Sequence, residues 1–272
     1  MGNVKIGVNA WSYPSGMNLS EMFSHAKRVG YELIEPVVDE QDLNMLNSPD
    51  FSRRWGEVRD LAQSAGLGIY TIATGLYWRF NMILSDQFER AAKVLETEAK
   101  AANIVGAKVL LVVPGVAVPE LSYEEHIERA KDALAKLSKV AEDYGVVIGV
   151  ENVWNRIFAS PLDMKRLLDE LDPKVVGAYV DVGNTLPHSL PEHWIMTLKG
   201  RIVAMHAKDF LAEPGRCTFG IPLTGSVNWR SIKRLLDEVG YSGSLTAEVP
   251  PYPGDPFKAA EDAASSLRQI FK

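Results

Sequence analysis

The sequence predicts an α/β fold, a single (β/α)8 TIM-type barrel taking in residues 1–272 as one domain. Three observations predict it. Short β-rich apolar runs alternate with longer amphipathic segments, eight of each, and such alternation implies a parallel sheet. The 272 residues match the length usual for one barrel of this kind. Segments leading from helix to strand are tight, whereas several leading from strand to helix are long, and in a barrel those long loops build the functional rim. A doubly wound open sheet shares the alternation, but eight repeats in this length fit a closed barrel better. No linker, low-complexity tract or composition break marks a second domain.

The strands are expected at Val4–Asn9, Tyr31–Glu35, Leu67–Ala73, Lys108–Val113, Val146–Glu151, Val175–Asp181, Arg201–His206 and Ser244–Val249. These are short apolar runs, as parallel strands covered on both faces should be. Helix starts lie between them. Ser122 and Glu125 have capping-box spacing, Ser160-Pro161 and Asp255-Pro256 pair a cap with a first-turn proline, and Asn228 can cap Trp229–Val239. Gly30, Gly66, Gly106, Gly145 and Gly240 stand where helices should stop. The long rim loops are Ala10–Asn18, Thr74–Ser85, Val182–Pro191 and Phe210–Val227.

Composition narrows the partners. With 29 Lys+Arg against 35 Asp+Glu, the net charge of −6 gives no electrostatic reason to bind nucleic acid. A small phosphorylated ligand stays open, because one or two local cations can hold it. Cys217 is the only cysteine, so there is no intrachain disulfide and no thiolate zinc cluster. A reducing, cytoplasmic setting is the simplest expectation. The N-terminus lacks the pattern of a signal peptide. The most apolar stretch, Val109 to Pro119, contains Pro114 and is too short to span a bilayer.

Four successive strands finish with a metal-capable side chain: VVIGVE in Glu151, VVGAYVD in Asp181, RIVAMH in His206, and SLTAEV carrying Glu248. Taken singly, a strand-terminal carboxylate is more often a helix cap or a solvated end, and a lone histidine a hydrogen-bonded core residue. Together they converge on one barrel mouth, where charges must be paired, solvated or metal-bound. Three carboxylates and one imidazole suit a single divalent ion: Mn²⁺, Mg²⁺ or Co²⁺, with Zn²⁺ also admissible.

The segments Glu151-Asn-Val-Trp-Asn, Asp181-Val-Gly-Asn, His206-Ala-Lys-Asp and Ala247-Glu-Val-Pro resemble the sugar isomerase/epimerase branch of the xylose-isomerase-like TIM barrels. That branch includes D-tagatose and D-psicose 3-epimerases and ketose-phosphate 3-epimerases and isomerases. The resemblance covers nearly the whole chain and is closest from Val146 to Pro253, including Ser160-Pro-Leu-Asp and Pro191-Glu-His-Trp. It is specific for the superfamily and less so for a substrate. It implies that the four residues bind one divalent metal, usually manganese, and that Glu151 and Glu248 serve as acid and base on opposite faces of the sugar. It also implies a small sugar or sugar phosphate as partner, an enediolate route, and often a homo-oligomer. Such chemistry needs charge stabilisation at the developing oxyanion and a proton removed and returned.

The chain departs from the free-sugar 3-epimerases at two positions. Asn184 stands where they carry histidine, and Ala212 where they carry arginine. Arg216 is the nearby candidate for the cationic role, and Thr224 and Ser226 replace acidic residues common in relatives. Trp11, Tyr77, Trp78 and Trp154 on rim loops are candidate walls of a sugar pocket, with ordinary packing an equal reading of each. Asn152, Asn155, Asn184, Lys208 and Asp209 are candidates for hydroxyl contacts or for support of the metal ligands. Glu35 either reaches the pocket or is a solvated strand end. His25, His126 and His193 read as structural or exposed, and His188 as a weak rim candidate. Backbone amides after the seventh and eighth strands could bind phosphate, though no Gly-rich cradle is present. Three alternatives remain: an inosose-type dehydratase using the same metal, an apurinic endonuclease, and a non-catalytic sugar-binding barrel. The endonuclease reading sits poorly with five histidines and a net charge of −6.

Overall fold

The computed structural model describes residues 4–213 and 216–271, Arg216 by its backbone alone. Its strands are Lys5–Asn9 (β1), Leu33–Glu35 (β2), Val37–Val38 (β3), Thr71–Thr74 (β4), Val109–Val112 (β5), Val147–Glu151 (β6), Val176–Asp181 (β7), Ile202–Ala207 (β8), Asp209–Glu213 (β9), Arg216–Gly220 (β10) and Ser244–Ala247 (β11). Nine of them form one parallel sheet in the order β2-β1-β11-β8-β7-β6-β5-β4-β3. One end of that order, β2, is the expected second strand; the other, β3, is a continuation the sequence reading did not include, set off by Pro36, which has no N–H for the ladder. β2 pairs with β1 and β3 with β4, while the Pro36 carbonyl still accepts from Ala73 N at 3.1 Å. One bent strand thereby closes the ring, and the predicted barrel is what the chain forms.

Helices Leu19–Arg28 (α1), Glu40–Asn44 (α2), Pro49–Ala65 (α3), Phe88–Val105 (α4), Tyr123–Tyr144 (α5), Pro161–Asp169 (α6), Val182–Thr185 (α7), Pro191–Thr197 (α8), Trp229–Glu238 (α9) and Lys258–Phe271 (α10) surround it. The strict alternation of eight and eight is thus decorated by short α2 and α7, two 3-10 turns and an antiparallel β9–β10 hairpin within the expected long loop. Capping follows the sequence. Ser122–Glu125 and Ser160–Asp163 form reciprocal boxes, and Asn228 accepts from Ser231 N. Asp255 also caps, accepting from Phe257 N and Lys258 N, but Pro256 lies in the turn before α10 and not in the helix. Gly66, Gly106 and Gly145 are left-handed C-caps.

The strand residues facing helices, with the inner helix faces, make one continuous apolar core. His25 and His126 are buried within it as structural residues. His25 meets the Tyr13 hydroxyl, and His126 donates to Ser122 O and accepts from Val118 N. His193 is exposed. Among the described residues no helix is long and apolar enough to cross a membrane.

Candidate metal centre and active site

Parallel register brings the four strand-end residues together. Glu151 and Asp181 are the last residues of β6 and β7, His206 pairs across with Asp181 and with Thr246, and Glu248 follows β11 directly. One ligand atom from each of the four lies within 4.8 Å of all the others. His206 Nδ1 stands 3.2 Å from Glu151 Oε1, 3.6 Å from Glu248 Oε2 and 3.9 Å from Asp181 Oδ2. Glu151, Asp181 and His206 are buried, and Glu248 is partly open to the pocket.

The cap reading of Asp181 is realised on one oxygen, and the other oxygen faces the cluster. Oδ1 accepts from Asn184 N at 2.8 Å and starts α7, while Oδ2 is buried with no hydrogen-bond partner. Lys208 Nζ approaches Oδ2 at 2.8 Å as an ion pair outside hydrogen-bonding geometry, and donates to Glu248 Oε2. A buried oxygen left in this way suits a cation. Asn152 braces the strand ends, its amide donating to Asp181 O at 2.9 Å and its carbonyl accepting from Asp181 N at 2.7 Å.

Glu35 is the principal residue whose role the sequence left undecided. It is buried, not solvated, and accepts from His206 Nε2 at 2.7 Å, from the Tyr179 hydroxyl at 2.6 Å and from the Asn9 amide. With Nε2–H given to Glu35, Nδ1 either carries a second proton toward Glu151 or turns its lone pair to a cation. The signal was the one that marked the other ligands, a carboxylate ending an apolar LIE run.

The electrostatics follow from this crowding. Burial pushes Glu151 up to about 7, against the pull of its His206 hydrogen bond. Burial also raises Asp181 above the usual carboxylate range, despite nearby Lys208. Glu248 goes the other way: burial would raise it, but the Lys208 ammonium and His206 hold it below that range. Burial would lower Lys208 and His206, yet the surrounding carboxylates keep both above their ordinary values. Four carboxylates, Glu35, Glu151, Asp181 and Glu248, face one lysine and one imidazole. If the imidazole is neutral, as a metal ligand must be, four negative charges against one positive leave an excess of three. The donor set therefore fits a divalent metal through Glu151, Asp181, His206 Nδ1 and Glu248.

Above the centre lies a cavity of about 260 Å³. Trp11, Trp78, Trp154, Asn184 and Lys208, all candidates from the sequence, line it together with Phe219, which the sequence reading did not single out. Phe219 lies on the hairpin, 4.8 Å from the Trp154 ring and 4.9 Å from Lys208 Nζ. A turn-forming Pro214-Gly215 between two β-capable runs was the available hairpin signal. Asp209, fully buried, anchors this wall by accepting from Phe210 N, Val227 N, Leu223 N and Trp229 Nε1. A Cβ on Gly225 would come within 2.4 Å of Asp209 Oδ1, so that turn requires glycine.

Two expectations are corrected. Asn155 lies outside the pocket, fully buried; its amide donates to Gly115 O and its carbonyl accepts from Ile157 N, so it has little left for a sugar. Tyr77 is likewise buried, donating to Glu98 at 2.6 Å. The Arg216 side chain lies outside the described residues.

Comparison with known proteins agrees with this geometry. The chain is 24% identical over 256 residues to an L-ribulose-5-phosphate 3-epimerase, UlaE of Escherichia coli (strain SMS-3-5 / SECEC), covering 90% of this chain and 87% of that one. It is 25% identical over 223 residues to inosose dehydratase of Geobacillus thermodenitrificans (strain NG80-2), covering 71% and 74%. Against an uncharacterised Methanocaldococcus jannaschii protein it is 27% identical over 152 residues, 52% of this chain and 50% of the relative's length. The fold is that of the IOLI protein, solved with a binding zinc atom, at a TM-score of 0.81 and 17% identity over 98% of both chains. The model of the xylose isomerase-like TIM barrel family matches residues 23–270, and this chain belongs to that family.

Proposed function

We propose that this chain is a divalent-metal-dependent epimerase or isomerase of a ketose or ketose phosphate, acting through an enediolate, with manganese as its ion. One observation carries the reading: Glu151 and Glu248 share a single metal-capable cluster and both line the cavity above it. Two carboxyl groups facing one bound sugar can serve as its acid and its base. A divalent ion beside them supplies positive charge for the oxygen on which enediolate charge collects. Glu248, with the Lys208 ammonium beside it, is suited to remove the proton next to the carbonyl. Glu151, protonated more readily, is suited to return one. Return to the opposite face of the same carbon inverts it, and return to the neighbouring carbon isomerises. Trp11, Trp78 and Trp154 offer flat apolar faces to the sugar C–H groups, and Asn184 offers an amide to its hydroxyls.

Similarity to inosose dehydratase supports a second reading, in which the same base and ion expel water from a cyclic polyol ketone. The endonuclease alternative gains no support: among the described residues there is one four-residue cluster of metal-binding character. The deciding experiment incubates Mn²⁺-loaded protein in D₂O with a panel of ketoses, their phosphates and inososes. Deuterium at carbon 3 reports epimerisation, deuterium at carbon 1 or 2 isomerisation, and loss of water dehydration. No exchange and no elimination with any member would contradict both readings.

A further inference from the structure

Beside the metal pocket lies a second cavity of about 640 Å³, more than twice as large, and the two share the Trp11 indole as a wall. The second cavity is bounded by the turn after β1, by α1 and α3, and by Pro36 and Pro251, which closely follow Glu35 and Glu248. Its floor is apolar and buried: Tyr13, Met22, Phe23, Trp55 and Val58.

Tyr13, Trp55, Arg54 and Asp39 in its walls have polar partners of their own. The Tyr13 hydroxyl meets His25 Nδ1 at 3.1 Å, and Trp55 Nε1 donates to Asp42 at 3.0 Å. Arg54, the cation in the wall, is paired with Asp39 at 3.0 Å and Asp42 at 2.9 Å. Most of what faces the space is hydrocarbon and aromatic carbon, which an uncharged apolar group would fill.

Trp11 is held from both sides of the metal centre. Asn9 Oδ1 accepts from Trp11 N at 2.6 Å while the Asn9 amide donates to Glu35. Ser12 Oγ donates to Ala247 O at 3.2 Å and accepts from Val249 N at 3.1 Å, flanking Glu248. The indole is 37% exposed, at the boundary of the two spaces. Within the metal pocket the cation among the described lining residues, Lys208, is engaged by Asp181 and Glu248.

We propose that the second cavity is a binding site for an apolar group carried by the substrate. The substrate is then an uncharged carbonyl sugar joined to an apolar, aromatic-sized moiety, with the sugar over the metal centre and the moiety beyond Trp11. This rests on the sugar epimerase reading and narrows it.

The test measures binding to the Mn²⁺-loaded protein by isothermal titration calorimetry. Matched methyl and 4-nitrophenyl glycosides of several hexoses serve as unreactive probes, with the hexose 6-phosphates alongside. At least one 4-nitrophenyl glycoside should bind tenfold or more tightly than its methyl partner. Leu19→Trp, which fills the cavity, should abolish that preference, and Met17→Trp serves if circular dichroism shows the first variant misfolded. Equal affinities within every pair, or a preference that survives the filling substitutions, would overturn the assignment. So would a hexose 6-phosphate binding more tightly than its parent hexose. A preference that disappears as the protein dimerises on concentration would give the cavity to a second copy of the chain instead. Deuterium exchange keeps the two claims apart. Exchange into free ketoses without aryl preference sinks this inference alone, whereas aryl preference without exchange leaves the apolar site standing and removes the epimerase reading.

Discussion

Replacing Glu35 tests whether the metal site is built by its ligands alone or by what stands behind them. Glu35 Oε1 accepts from His206 Nε2 and the Asn9 amide, and Oε2 accepts from the Tyr179 hydroxyl. In Glu35→Gln the amide oxygen can keep the first two contacts. The new NH₂ can donate to Tyr179, whose hydroxyl then turns to accept. Geometry survives and charge is lost. A hydrogen bond to a charged group contributes about 1.5–3 kcal/mol and a neutral one about 0.5–1.5 kcal/mol, so the imidazole loses roughly 1–1.5 kcal/mol of orienting energy. Metal affinity should fall about tenfold, since 1.4 kcal/mol is a factor of ten. Glu35→Ala also removes the geometric hold on the ring and should approach the roughly 100-fold upper end of such effects. Competition with a fluorescent chelator measures both constants, with circular dichroism confirming the fold. Wild-type affinity in both variants would refute the reasoning, because His206 would then need no support.

Other predictions follow from the same geometry. Glu151→Gln and Glu248→Gln should each abolish turnover and isotope exchange while leaving the fold intact by circular dichroism; full activity in either removes the acid–base pair. Glu98 is fully buried on α4, and burial lifts its pKa well above the usual value, with the nearby Glu35 charge adding to this. Its folded pKa thus exceeds its unfolded one, so its contribution is fully present below pH about 4.3 and declines as pH rises. Wild type should lose about 1.4 kcal/mol per pH unit through that window relative to Glu98→Gln, and parallel urea stability curves against pH would show the claim wrong. Asp209→Ala strands four donors behind the hairpin and should cost on the order of 3 kcal/mol or more in urea denaturation. A cost under 1 kcal/mol would mean that the wall does not depend on it.

The candidate metal ligands were legible for a plain reason. Parallel strands covered on both faces are nearly all apolar, so a carboxylate or imidazole at the C-terminal end stands out, and a barrel sends all such ends to one mouth. Helix boundaries were legible at Ser122, Ser160 and Gly145 because caps depend on neighbours a few residues away. Glu35 stayed ambiguous because its partners, Tyr179 and His206, are 144 and 171 residues distant and only ring closure brings them together. The same closure hid Pro36, where one strand serves two neighbours. Asn155 and Tyr77 misled for the opposite reason. Both have sugar-binding chemistry on rim loops, yet Gly115 O, Ile157 N and Glu98 had already claimed their polar atoms. Phe219 was missed because its place in the pocket depends on how the hairpin folds back over Trp154.

Glu151, Asp181, His206 and Glu248 are proposed to hold one divalent ion, with His206 bound through Nδ1. A crystal of the Mn²⁺-loaded protein, measured at the manganese absorption edge, tests it most directly. One anomalous peak is expected at this site, touching all four side chains, with Nε2 still donating to Glu35. A peak elsewhere, several peaks in a cluster, or coordination through Nε2 would contradict it.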